Sequence, residues 1–241
     1  MSVHWYSSPD AKTAAEACAH HIVSLLDTAL SGQDYATLAI SGGSSPKLLF
    51  QQLVQSRFRW DRVHLFWVDE RCVPPTDAQS NYRLAEENLI APARLPHRFV
   101  HRVIGEAMPD VAAKRYIEEI RGVFALEEGE LPHFDIVHLG MGPDAHTASL
   151  FPGEPLIDDR DHIAAAVYAD KFSQWRVTLL PGVLLAAKHT VFLVAGDDKA
   201  SAVRSVFHEE YDPKRYPAQV ASHHGRKITW FLDQAAAKLM D

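Results

Sequence analysis

Only two cysteines, Cys18 and Cys72, occur in the 241 residues, with no Cys-x-x-Cys pair and no zinc-ligand spacing. A reduced, intracellular compartment is the natural expectation. No apolar stretch approaches the roughly 20 residues that a bilayer-spanning helix needs. The N-terminal stretch Met1-Ser2-Val3-His4-Trp5-Tyr6 lacks a basic region followed by an apolar segment, so no secretory signal is expected and the location is expected to be cytoplasmic. Positive charge is also in short supply: 24 Lys and Arg stand against 31 Asp and Glu, a formal net charge of -7. That balance argues against generic nucleic-acid binding and against an anionic membrane surface. It leaves an anionic small substrate open, because a few placed cations and backbone amides decide that locally. The 14 histidines form no His-Glu-x-x-His motif and no Cys/His cluster. No metal and no cofactor are therefore expected. Repeats, low-complexity runs and long linkers are missing too, which leaves one domain over residues 1–241 as the expectation.

What is present is apolar patterning. Hydrophobic residues make up 47% of the chain, in line with an ordinary globular protein. Residues 10–31 carry Ala14, Ala17, Cys18, His21, Ile22, Leu25, Leu26 and Leu30 on one helical stripe. Short apolar runs at 37–40, 63–68, 134–139, 163–168, 176–180, 190–195 and 228–232 read as strands. A short strand is expected near 99–104. Helices are expected at 47–55, about 80–91, about 110–126, from Pro181, from Gly196 to Phe207 and at the C-terminus. His223-His224 are placed in a polar loop. Strands alternating with helices point to an α/β fold built on a mainly parallel sheet with helices on both faces.

Three constellations sit where strands end. Gly140-Met141-Gly142-Pro143-Asp144-Ala145-His146 follows the apolar run 134–139, and loops at the carboxyl ends of strands are where open α/β sheets place their chemistry. An Asp two residues from a His can fix the imidazole tautomer and leave the other ring nitrogen as a proton acceptor; it can equally be a local hydrogen bond. Ser41-Gly42-Gly43-Ser44-Ser45-Pro46 joins a strand to a helix. It reads either as a tight turn or as a loop whose amides hold a phosphate. It is neither a Walker A loop nor a dinucleotide fingerprint, since the Gly-Lys-Ser/Thr ending and the third glycine are missing. Asp69-Glu70-Arg71, with Asn81-Tyr82 after it, forms a charged strand end that is either a site or a solvated loop. Arg176 at a strand start and Lys199 in a helix first turn are isolated cations. A cation in a first turn opposes the helix macrodipole, which a bound anion would offset.

Taken together and in order, these pieces, with Arg176-Val177-Thr178-Leu179, Gly196-x-x-Lys199-Ala200 and the run Thr147-Ala148-Ser149-Leu150-Phe151-Pro152, resemble the 6-phosphogluconolactonase family over nearly the whole chain. The resemblance implies a modified Rossmann-like fold shared with aminosugar-phosphate isomerase/deaminases. It implies hydrolysis of 6-phospho-D-glucono-1,5-lactone to 6-phosphogluconate in the oxidative pentose phosphate pathway. It also implies His146 as the general base with Asp144 supporting it. The phosphate would lie against Ser41, Gly42, Gly43 and Ser44, with Arg176, Lys199 and Arg71 as cations; Asp69 and Glu70 are further candidates. Amides of the 140–146 loop are candidate donors to the oxyanion. The family carries Gly where this chain has Ala145, and a position needing φ > 0 would cost alanine about 1 kcal/mol. The expected partner is a small sugar-phosphate lactone, with no nucleic acid and no membrane, in a monomer or weak homo-oligomer. Two rivals share parts of this pattern. An isomerase/deaminase would use an acidic residue just after the histidine, but here no carboxylate appears before Glu154. A non-catalytic sugar-phosphate sensor would not need the Asp144-His146 pair.

Overall fold

The computed structural model describes residues 3–240. Met1 and Ser2, part of the N-terminal stretch discussed above, and Asp241 lie outside the described residues. The chain runs β1 (His4–Ser8), α1 (Ala11–Gly32), β2 (Ala36–Ile40), α2 (Ser44–Gln55), β3 (Val63–Trp67) and β4 (Asp69–Arg71). A helical stretch then passes from α3 (Asn81–Ala85) through a π-helical turn (Glu86–Ile90) into α4 (Ala91–Ala93). Pro92 accounts for the widened turn: it brings no N–H, and its ring would press on the Asn88 carbonyl of a regular helix. Next come β5 (Val100–His101), α5 (Pro109–Phe124), β6 (Ile136–Leu139), β7 (Ala164–Ala169), β8 (Gln174–Leu179) and α6 (Pro181–Ala186). The chain closes with β9 (His189–Val194), α7 (Ala200–His208), α8 (Gln219–His224), β10 (Ile228–Asp233) and α9 (Gln234–Ala237).

Seven strands form one parallel sheet in the order β1-β10-β9-β6-β2-β3-β5. Its central strands are buried on both faces, so their side chains alternate between two separate cores. Leu38 and Ile40, Leu65 and Trp67, Ile136, and Val191 and Leu193 point to the side covered by α1 and α2, with Ile22, Leu26 and Phe50. Ala39, Phe66, Val137, Leu139, Phe192 and Val194 point to the other side, where Tyr116 and Ile120 of α5 and Val203 and Val206 of α7 meet them. Fully burying one such side chain contributes about 1.5–3 kcal/mol. This is the mainly parallel, doubly covered sheet expected from the apolar runs.

The structure departs from those expectations in four places. The runs at 163–168 and 176–180 do not join the main sheet. They form β7 and β8 of a second, antiparallel sheet of order β4-β8-β7. Asp69-Glu70-Arg71 is not a loop but its edge strand β4. The strand near 99–104 shortens to the two residues of β5. His223 and His224 end helix α8 rather than lying in a loop.

The strand order sets where a ligand can bind. From β2 the chain moves outward through β3 to β5, then returns to β6 on the opposite side of β2. The connections leaving β2 and β6 therefore diverge, and a crevice opens between their carboxyl ends. Both glycine-containing loops emerge there.

Candidate active site

The crevice is a cavity of about 590 Å³. Its walls bring together nine of the eleven site residues expected from the sequence: Ser41, Gly42, Gly43, Ser44, Asp69, Arg71, His146, Arg176 and Lys199. Asp144 stands behind His146 and faces a neighbouring cavity. Glu70 lies outside both.

The loop after β2 holds a fixed shape. Gly43 has φ 115°, a region that disfavours side chains, and a Cβ on Gly42 would overlap Asn81 Oδ1. Lys47 N–H donates to the Gly43 carbonyl at 3.2 Å, so α2 starts at the cavity with its first amides pointing out of the helix. Ser41 is less available than its position suggests. Its hydroxyl donates to the His138 carbonyl at 3.0 Å, stitching the loop onto β6.

Opposite stands a pair of arginines. Arg71 and Arg176 are direct partners across β4 and β8, where like charges repel. Arg176 is only 6% exposed. Its guanidinium lies 4.7 Å over the Phe172 ring and 5.4 Å over Phe151. Its nearest carboxylate oxygen, on Asp69, is a loose 3.9 Å away. Burial pulls this guanidinium below its ordinary value, and the Arg71 charge adds to that against the pull of Asp69. The Nε atoms of both arginines are buried without a partner among the described residues. A bound anion would offset this repulsion and desolvation. Lys199, in the turn after Gly196, completes the cationic wall, with Asp198 at 3.0 Å.

Asp69 and Glu70 part company. Asp69 lines the cavity and accepts from the Ser149 hydroxyl at 2.6 Å. Glu70 accepts from the amides of Arg71, Asn81 and Tyr82, each at 2.7 Å, and from the Ser80 hydroxyl at 3.0 Å. It caps the start of α3. Burial pushes its carboxyl above the ordinary value, and these four bonds offset only part of that.

At the other wall His146 Nδ1 meets Asp144 Oδ1 at 2.5 Å. A carboxylate only accepts, so the proton sits on Nδ1 and Nε2 is the ring's acceptor. Asp144 Oδ2 accepts from Lys171 at 2.9 Å. The His146 bond first, then Lys171, hold the Asp144 carboxyl well below the usual carboxylate range against the effect of burial. The His146 ring packs on Phe151 with centroids 4.5 Å apart. Gly142 admits this geometry because a Cβ there would overlap the imidazole. Ala145 sits at φ 61°, the left-handed conformation whose cost the sequence raised. The Gly142, Ala145 and His146 amides are committed to His146 O, Gly142 O and Asp144 Oδ1, so they are not free to meet an oxyanion.

Sequence reasoning passed over several residues of the wall, including Gln79, Phe172 and Gln174. Gln174 was within reach of it: on β8 it is two residues from Arg176 and so shares its face. Phe172 and Gln79 carried no such signal, because loop residues have no period.

The chain as a whole has counterparts among known proteins. The family model described as glucosamine-6-phosphate isomerases/6-phosphogluconolactonase matches residues 9–230. The 6-phosphogluconolactonase of a Nostoc species is 36% identical, the match covering 89% of each chain. That of Treponema pallidum is 39% identical over 80% of each. The solved 6-phosphogluconolactonase of Thermotoga maritima superposes with a TM-score of 0.83 at 28% identity, covering 96% of this chain and 100% of its own. By the family model over residues 9–230 and by these relatives at 36% and 39% identity, the chain belongs to the glucosamine-6-phosphate isomerase/6-phosphogluconolactonase family.

Proposed function

We infer that this chain hydrolyses 6-phospho-D-glucono-1,5-lactone to 6-phosphogluconate, the lactone-opening step of the oxidative pentose phosphate pathway. The family holds two chemistries, and 6-phosphogluconolactonases at 36% and 39% identity match most of this chain. The observation that carries the assignment of roles is the Asp144–His146 pair at 2.5 Å facing an arginine-lined cavity.

In the proposed mechanism the phosphate rests on the Gly42-Gly43-Ser44 turn and the start of α2, with Arg176, Arg71 and Lys199 as counter-charges and Ser41 shaping the turn. This anchoring places the lactone carbonyl before His146. Nε2 takes a proton from water as the oxygen attacks C1. The tetrahedral oxyanion then collapses, the bond from C1 to the ring oxygen breaks, and the imidazolium returns its proton to the departing alkoxide. Asp144 holds the tautomer and balances the transient imidazolium. Such a lactone is reactive enough that no covalent nucleophile is invoked, and the mechanism uses neither metal nor cofactor.

An isomerase/deaminase would need an acid beside the base. The first carboxylate after His146, Glu154, lies in the neighbouring cavity and accepts from the Leu156 amide. A sensor without turnover would leave the Asp144–His146 pair unused. We further propose that residues 1–241 act as one unit in the cytoplasm, as a monomer or weak homo-oligomer with no nucleic-acid or membrane partner. Among the described residues no helix is long and apolar enough to cross a membrane.

The test is acid release from freshly generated 6-phosphogluconolactone, with and without the purified chain. Hydrolysis well above the spontaneous rate is expected. kcat/KM for the unphosphorylated lactone should be lower by two orders of magnitude or more, since about 1.4 kcal/mol accompanies each tenfold loss and charge-assisted contacts exceed that together. Equal values for the two lactones would refute the phosphate site.

A further inference from the structure

Asp144 is a bridge between two cavities. One oxygen serves His146 on the active-site side; the other accepts from Lys171, which with Asp144 lines a second cavity of about 410 Å³. Lys171 belongs to the short 3₁₀ turn Asp170–Phe172 that joins β7 to β8. Its neighbour on that turn, Phe172, lines the active-site cavity and lies 4.7 Å under the Arg176 guanidinium. One turn thus touches both the carboxylate behind the base and the cation proposed for the phosphate.

We propose that Lys171 is a positioning residue for the reaction: by holding Asp144 Oδ2 it fixes the carboxylate with Oδ1 on His146 Nδ1, and so aims the imidazole at the attacking water. This rests on His146 being the base. A carboxylate bonded through one oxygen alone can rotate about its last torsion, and a bond to each oxygen removes that freedom. Asp144 also faces the second cavity and is 26% exposed, and Lys171 is the side chain that holds its Oδ2 on that side. Stability does not account for the contact. The Lys171 side chain is 52% exposed, and ion pairs so exposed add little to folding. The turn is anchored independently by the Ser173 amide donating to Asp170 O at 3.1 Å and by the ladder of β7 on β8.

Lys171→Met keeps the stem of the side chain and removes the ammonium, while Lys171→Arg keeps a donor and its charge. In the lactone assay Lys171→Met is expected to lower kcat roughly 10- to 100-fold, as misaimed catalytic groups do. KM should stay within about threefold and Tm unchanged, because phosphate contacts and folding are untouched. Lys171→Arg should recover most of the loss. Added to His146→Ala, Lys171→Met should cost nothing further, since there is no imidazole left to aim. A Lys171→Met enzyme with kcat within twofold of the parent overturns the proposal, as does a loss that Lys171→Arg fails to restore. The two layers separate in one experiment. Full activity in His146→Ala overturns the base itself, whereas an inactive His146→Ala beside a fully active Lys171→Met overturns only the role of Lys171.

Discussion

Two alanines in the left-handed region lie on either side of His146: Ala145 at φ 61° and Ala148 at φ 53°. A side chain in that region costs about 1–2 kcal/mol relative to glycine, and such strain gathers at sites whose geometry the surroundings over-determine. Here the surroundings are the Ala145 amide on Gly142 O at 3.0 Å and the Ala145 carbonyl accepting from the Ala218 amide at 2.9 Å. Ala145→Gly should therefore raise stability, by up to about 1 kcal/mol after the lost methyl burial and the gain in unfolded-state entropy are counted. Urea denaturation measures this, and a loss of 1 kcal/mol or more would mean the position is unstrained. Gly42 is the opposite case. Gly42→Ala must push Asn81 or the loop aside, and KM for the phosphorylated lactone should rise at least about tenfold with little change in Tm, as for a displaced binding loop. At this scale the Asp144–His146 contact was legible in sequence because it is local. The Lys171 contact was not, since its partner lies 27 positions away.

Among the elements, legibility followed burial. β2, β3, β6 and β9 are enclosed on both faces, and such strands read as continuous apolar runs. β1 has four of its five residues exposed on the sheet edge, so neither an apolar run nor an alternation marked it. β4 is three charged residues that tertiary pairing with β8 turns into a strand. No propensity argument reaches it. That strand also explains why its two acids differ: successive strand residues face opposite ways, sending Asp69 to the cavity and Glu70 to the amides of α3. Glu70→Gln replaces one acceptor oxygen with a donor group facing amides that themselves donate. The expected cost is about 2–3 kcal/mol in urea denaturation, against at most about 0.5 kcal/mol for the same change at exposed Glu128. Equal effects at the two positions would show that Glu70 does not hold α3.

The whole molecule is organised by the reversal of strand order between β2 and β6, and that junction has a buried histidine in it. His138 of β6 is fully buried, and burial pushes it down to about 3. His64 of β3 is pushed down to about 4 by burial and by His101 beside it. An unfolded chain binds protons on both near pH 6.5 while the folded one does not, so stability must fall as pH drops from about 6.5 toward 4. The slope is at most about 1.4 kcal/mol per pH unit for each histidine. Urea midpoints between pH 7 and 5 should show it, and His138→Gln should flatten the dependence; an unchanged slope would place the acid sensitivity elsewhere. The same junction brings the Gly42-Gly43-Ser44 turn, the arginine pair and the imidazole into one crevice, and the proposed mechanism rests on His146 acting there as a base. Steady-state hydrolysis of 6-phosphogluconolactone by His146→Ala puts that to the proof. kcat should drop by about 10²- to 10⁴-fold, the range for removal of a general base, with KM nearly unchanged. A kcat within a few-fold of the unmodified enzyme would contradict it.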